Sequence, residues 1–242
     1  LQDEFFWAAT ELYLTTGDAA YHEAMNAQFS AAEVPSWHGV AGLAWVSLVQ
    51  HRDRLQAADR ARVESGIQVL ANRLSQQALS SAYRLPLQAQ DLKWGSNAVA
   101  LNQAMMLVQA YRVRADANYL DAAQSLLDYV LGRNALATTF VTGQGLRSPL
   151  HIHHRPSYAD GIEAPVPGLL SGGPKPGQQD RKDCKVAYAS ALPAKSWLDE
   201  MCSYASNEIA INWNAPLGHV APALQELTPP PEFLNAEPSS PT

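Results

Sequence analysis

Apolar side chains recur along this chain at intervals of three and four, a rhythm that admits little except helices packed against helices. Between Ala57 and Leu79, the residues Val63, Ile67, Leu70 and Leu74 fall on one side of a helix. From Asp3 to Thr15, Phe5, Trp7-Ala8-Ala9, Leu12 and Tyr13 suit another buried face. Asn97–Arg114, Tyr119–Leu131 and Glu208–Leu227 extend the same pattern. Strand signals are almost lacking, and Phe140-Val141-Thr142 alone reads as a short extended piece. The expected class is all-α. At 242 residues, 47% of them hydrophobic and 17% charged, the chain can bury a substantial core in one domain or two.

The helices also repeat. Tyr13, Asp18, Ala19, Tyr21 and Ala24 recur as Tyr111, Asp116, Ala117, Tyr119 and Ala122, each 98 positions on. Both copies read as a helix end, an Asp-led turn and a new helix starting near the Tyr. Hairpins of this kind stack around a ring when each buries its apolar stripe on its neighbours. Between Asn134 and Asn207 the periodicity fades and Gly and Pro cluster, in Thr142–Gly145 and in Pro165–Gly177. Loops this long in compact domains are usually functional. Residues 1–227 form the expected domain, and residues 228–242 (TPPPEFLNAEPSSPT) read as a Pro/Ser-rich tail or linker.

Charge and hydropathy exclude some partners. A net charge of −6 argues against nucleic acid, which favours a basic surface. No apolar run is long enough to cross a bilayer. The chain begins at Leu1 in what already reads as mid-domain helix, so the lack of a targeting segment says nothing about compartment. Cys184 and Cys202 are either two buried thiols or, if the protein is secreted, a disulfide restraining the loop between them.

Two stretches carry candidate chemistry. Trp197–Ala215, WLDEMCSYASNEIAINWNA, sets Asp199 and Glu208 among aromatic and amide side chains. Glycoside cleavage needs a carboxylic acid to protonate the leaving oxygen, with aromatic faces and amides to hold the sugar. A carboxylate opening a helix also simply complements the helix dipole, so the pattern alone is ambiguous. The second stretch, Thr139–Arg155, contains His151, His153 and His154. Adjacent loop histidines with no cysteine nearby make a poor cage for zinc. Imidazole and guanidinium groups that donate directional bonds to sugar hydroxyls suit the segment better. Trp94 in KWGSN, Tyr204 and Trp213 are candidates to stack on a pyranose; Trp7, Trp37 and Trp45 lie in helical patterns and read as core. Asn207 reads as a cap for the Glu208 helix.

Both stretches resemble the signatures of family-nine glycoside hydrolases, the cellulase family with an (α/α)6 barrel. Trp197, Asp199, Tyr204, Glu208, Ala210, Asn214 and Ala215 fall at the places of its acid-bearing signature. Thr139, Val141, Thr142, Gly145, Arg147, Ile152, His153 and Arg155 fall at those of its histidine-bearing one. The resemblance runs from Leu1 to about Leu227. It implies hydrolysis of β-1,4-glucosidic bonds in cellulose or related β-glucans with inversion. Glu208 would be the general acid, holding its proton through partial burial and nearby carboxylates. Asp199 would order its surroundings or cap a helix, and His153 and Arg155 would bind the sugar at the cleavage point.

The family's Asp-Ala-Gly-Asp motif, whose aspartates activate water, occurs nowhere here. The chain therefore reads as the C-terminal half of a catalytic domain, with the N-terminal half as its partner. Asp3 and Glu4 match a place where relatives hold structural calcium, although the Trp-Asp-Asp stretch common downstream is Trp37-His38-Gly39 here. No cofactor is implied for the chemistry. A polymeric substrate implies a secreted or periplasmic setting. Two alternatives stay open: an exo-acting member releasing cellobiose, glucose or glucosamine from chain ends, and a non-catalytic module that binds glycans.

Overall fold

A computed structural model gives the fold, and residues 1–228 are described. Among them the regular structure is helical: α1 Gln2–Thr16, α2 Ala19–Ala27, α3 Ala41–Gln50, α4 Ala57–Ser80, α5 Ser96–Val113, α6 Ala117–Val130, α7 Arg155–Ala159, α8 Tyr204–Asn207 and α9 Ile211–Leu227. The predicted all-α class holds. Helix α1 packs on α2 and α3, and α5 packs on α4, α6 and α9. The sequence echo marks two equivalent hairpin turns. Asp18 accepts from the Ala20 amide at 2.9 Å to cap α2, and Asp116 accepts from the Asn118 amide at 3.0 Å to cap α6. In both places the carboxylate satisfies an amide that the first helical turn leaves open.

Helix α5 sits at the centre. Leu101, Ala104, Met106, Leu107 and Val108 are all buried, so it is apolar on nearly every side, as a helix surrounded by others must be. Trp45, Phe6, Met25, Ile67 and Tyr119 fill the space around it and between the outer helices. Packing of α4 follows the predicted stripe Val63, Ile67, Leu70, Leu74.

Three expectations need correction. The buried stripe of α1 is Phe6, Ala9, Tyr13 and Leu14, whereas Phe5, Trp7 and Leu12 face outward. Trp7 instead donates its indole N–H to Glu11 at 2.9 Å. Trp37 is also exposed, because Ser36–Gly39 is a tight turn and not helix; of the three tryptophans read as core, Trp45 alone is. Phe140–Thr142 is the short extended piece expected, and it pairs through a bridge from Val141 to Leu170. Finally, α9 starts at Ile211, since Glu208 and Ala210 are extended and Glu208 and Ile209 pair sideways. The Pro/Ser-rich tail lies outside the described residues apart from Thr228. No described helix is long and apolar enough to cross a membrane.

Candidate active site

Extended segments without a formal sheet make the floor of the site. The amide of Asn97, in the first turn of α5, donates to the Gly172 carbonyl at 3.0 Å, and the Asn97 side chain donates to the Ser171 carbonyl at 2.8 Å. Gly173 in turn donates to the Ser206 carbonyl at 2.8 Å, and Ser171 bridges to Ile209. On the far side of that strip, His153 donates its amide to the Asn207 carbonyl at 2.9 Å and forms a parallel bridge with Glu208. Paired positions on adjacent extended segments project to the same face. His153 and Glu208 are thus brought side by side from 55 positions apart.

Trp94 completes the set from a third segment. Its indole N–H donates to Glu208 Oε2 at 3.0 Å. Tyr204 stands between the two arms, its ring 5.7 Å from Trp94 and 6.2 Å, edge-on, from His153. The His153 Nδ1–H donates to the Met201 carbonyl at 2.6 Å, which fixes the tautomer and leaves Nε2 as the free acceptor. The Lys175 ammonium rests 4.3 Å over the Trp94 ring, a cation–π contact. Burial pushes that ammonium's pKa down, with Asp180 pulling the other way.

Asp199 does not reach Glu208. Its carboxylate accepts from the amides of Leu150 and His151 at 2.8 and 3.0 Å and from the Asn207 side chain at 3.0 Å. It stitches the histidine loop to the turn before Glu208. Asn207 is fully buried within α8 and also donates to the His151 carbonyl at 3.0 Å. It is a cross-link and not the cap read from sequence, because no helix starts at Glu208. Arg155 opens α7 with its side chain exposed. His154 caps that helix, accepting from Ser157, and turns away from His153.

Trp213 corrects a prediction. It is 9% exposed, and its indole packs closely on the backbones of Gly95 and Gly172, which leaves it little surface to offer a sugar. It supports from behind the turn that carries Trp94. Beside the site, a groove of about 510 Å3 is lined by His151, Ile152, Tyr158, Met201 and Cys202. It shares Ile152 and Met201 with the wall behind His153, but neither Glu208 nor Trp94 lines it. Cys184 and Cys202 are bonded, with Cα atoms 5.4 Å apart, tethering the 180s loop to the turn that leads into Tyr204.

Asp3 and Glu4, the residues expected to bind calcium, lie in the first turn of α1. Asp3 accepts from the Val40 amide at 2.9 Å. The Val40 bond is the main cause holding its pKa below the usual carboxylate value. Two carboxylates supply too few of the six or more oxygens that calcium takes. No three His, Cys, Asp or Glu side chains gather to hold a metal among the described residues. Sequence reading missed Asp180, Tyr188 and Lys175. They lie in a Gly/Pro/Gln-rich loop whose pattern gives no sign of what it packs on.

Comparison with known proteins gives the same picture. The model of glycosyl hydrolase family 9 matches residues 1–221. A xyloglucan-specific endo-beta-1,4-glucanase of Bacteroides ovatus is 40% identical over 93% of this chain and 39% of its own length. A cellulose 1,4-beta-cellobiosidase of Acetivibrio thermocellus is 33% identical over 94% of this chain and 29% of its own. The solved structure of a Bacteroides ovatus family-nine protein superimposes with a TM-score of 0.83 at 37% identity, covering 93% of this chain and 40% of that one. The chain spans about two-fifths or less of the length of these relatives, and its helices match part of their (α/α)6 barrel. The chain belongs to glycosyl hydrolase family 9.

Proposed function

We propose that this chain is the C-terminal half of a catalytic domain that hydrolyses β-1,4-glucosidic bonds in cellulose-type glucans with inversion. Residues 1–227 supply the acid side of the site, and the preceding half of the same domain supplies the aspartates that activate water. The observation that carries the reading is the meeting of Trp94, His153, Tyr204 and Glu208, from distant segments, on one face. Glu208 is the general acid, donating its proton to the bridging oxygen as the bond breaks. The indole N–H of Trp94 receives the carboxylate that results and holds it in place. His153 offers Nε2 to a sugar hydroxyl, while Trp94 and Tyr204 offer ring faces to its C–H groups. Arg155, at the rim, contacts the sugar beyond the cleavage point.

Inversion requires a water between base and acid, with the two carboxyl groups about 6.5–9.5 Å apart. The aspartates must therefore face Glu208 across a gap that the other half of the domain closes. Endo action is the first reading, in keeping with the xyloglucan-specific endoglucanase relative. Exo action is the second, favoured by the cellobiosidase among the relatives. A substrate of this size places the protein outside the cytoplasm.

The test uses the complete enzyme on a soluble β-1,4-glucan. Proton NMR of the first products should show the α-anomer, and viscosity should fall ahead of reducing-sugar release. A β-anomeric first product contradicts the inverting mechanism. Sugar release that outruns viscosity loss selects the exo reading, and binding without products reduces the protein to a glycan-binding module.

A further inference from the structure

Asp180 is fully buried and takes no part in the chemistry above. One carboxylate oxygen accepts from the Tyr188 hydroxyl at 2.6 Å. The other accepts from the Ala205 amide at 2.7 Å and the Ser203 hydroxyl at 3.0 Å. Ser203 and Ser206 touch each other at 2.8 Å, and both reach the Tyr188 hydroxyl, at 3.0 and 3.1 Å. Ser206 also accepts from the Leu198 amide at 3.2 Å.

Burying a carboxylate among neutral donors is costly, and among the described residues no Lys, Arg or His lies within ion-pair distance of it. Its donors share one location: they belong to Ser203–Ser206, the turn that presents Tyr204 and runs directly into Glu208, or brace that turn. Lys175, in the same loop as Asp180, reaches from the other side to the Trp94 ring. A single loop thereby grips both the acid's turn and the indole that hydrogen-bonds the acid.

We infer that Asp180 is a positioning residue for the general acid: its buried carboxylate fixes the Ser203–Asn207 turn so that Glu208 meets the bridging oxygen at reacting distance. The inference rests on the proposed role of Glu208. Positioning errors of about 1 Å can cost on the order of a hundredfold in rate, and general acid catalysis itself contributes about 10²–10⁴-fold.

The experiment compares two substrates in the complete enzyme: a cello-oligosaccharide, whose leaving group needs a proton, and 2,4-dinitrophenyl β-cellobioside, whose leaving group departs without one. Asp180→Asn keeps the size but puts an NH2 where a donor already points. It should lower kcat on the oligosaccharide by about 30–100-fold, with KM within about threefold, and lower dinitrophenyl cleavage by less than about fivefold. A proportional loss on both substrates, or wild-type kcat on both, overturns the inference. Ser203→Ala removes one donor and leaves the Ala205 bond. It should show the same bias at about three- to tenfold, and it decides the matter if the Asn variant does not fold. Glu208→Gln is run in parallel. If it shows the substrate bias and the Asp180 and Ser203 variants do not, Asp180 loses its role while Glu208 keeps its own. If Glu208→Gln shows no bias, the acid assignment fails and the inference falls with it.

Discussion

Gly95→Ala is the most searching perturbation of the scaffold behind the site. Gly95 precedes α5 at φ +79°, a region where a Cβ costs about 1–2 kcal/mol. That Cβ would also lie 2.7 Å from the Trp213 indole nitrogen. Relief to an ordinary contact of 3.4 Å requires a retreat of about 0.7 Å. The indole cannot give, because a Cβ position on Gly172 lies 3.0 Å from its opposite edge and marks how closely that backbone approaches. Overpacking of this kind costs about 1–3 kcal/mol, for a total of roughly 2–5 kcal/mol. Either the domain loses that stability, or the Trp94–Gly95 turn moves and carries the Glu208 hydrogen bond with it. In the second case kcat should fall about tenfold or more. Urea unfolding of the complete enzyme, read with glucan kinetics, detects both. A variant with the wild-type midpoint, wild-type slope and kcat within a factor of two would refute the packing argument.

Asp199→Ala should leave the buried Asn207 amide with one of its two acceptors, the His151 carbonyl, while water replaces the bonds to the exposed Leu150 and His151 amides. The expected loss is about 1–3 kcal/mol, seen as a melting temperature roughly 2–10 °C lower. His219 accepts from Gln109, with 3.1 Å between the two nitrogens, and burial, aided by Arg112, pushes its pKa below 6.5. Its neutral form is therefore favoured in the fold. That contribution is intact above pH 6.5 and is lost as pH falls through the folded value; unfolding free energies measured against pH should flatten there in His219→Gln. Burial pushes the Tyr188 hydroxyl up to about 12 from its ordinary 10, so stability present below pH 10 should be lost as pH rises toward 12. Tyr188→Phe should reduce that alkaline slope, and Tyr129, Tyr119 and Tyr204, which burial also shifts upward, contribute to the slope that remains.

Helices were legible wherever an apolar stripe was long. The α4 stripe and the Asp-led turns before α2 and α6 were readable because period and capping chemistry are local. Around Trp45 a helical pattern was readable, but α3 (AGLAWVSLVQ) was given no bounds because it is apolar almost throughout, which leaves its ends without a period to read. The outward set on α1 was misjudged since Phe5, Trp7 and Leu12 have the spacing of a buried face, and the neighbour that a face packs on lies elsewhere in the chain. At the site, the two motifs located Glu208 and His153, but their pairing depends on a backbone bridge that no local pattern encodes. Trp213 was read as a sugar platform from its closeness to Glu208 in sequence. The helix that begins at Ile211 turns it inward instead, against the glycines. Asp180 and Lys175 were invisible for a related reason: their partners arise from tertiary contacts between loops.

The central claim is that the carboxyl at position 208 hands its proton to the oxygen joining two sugars. Glu208→Gln in the complete enzyme tests it most directly, because the amide keeps the shape and the contact with the Trp94 indole but has no proton to give. Turnover of unactivated glucan should fall by about 10²–10⁴-fold while the affinity for cello-oligosaccharide stays within severalfold. Undiminished turnover in that variant would contradict the account.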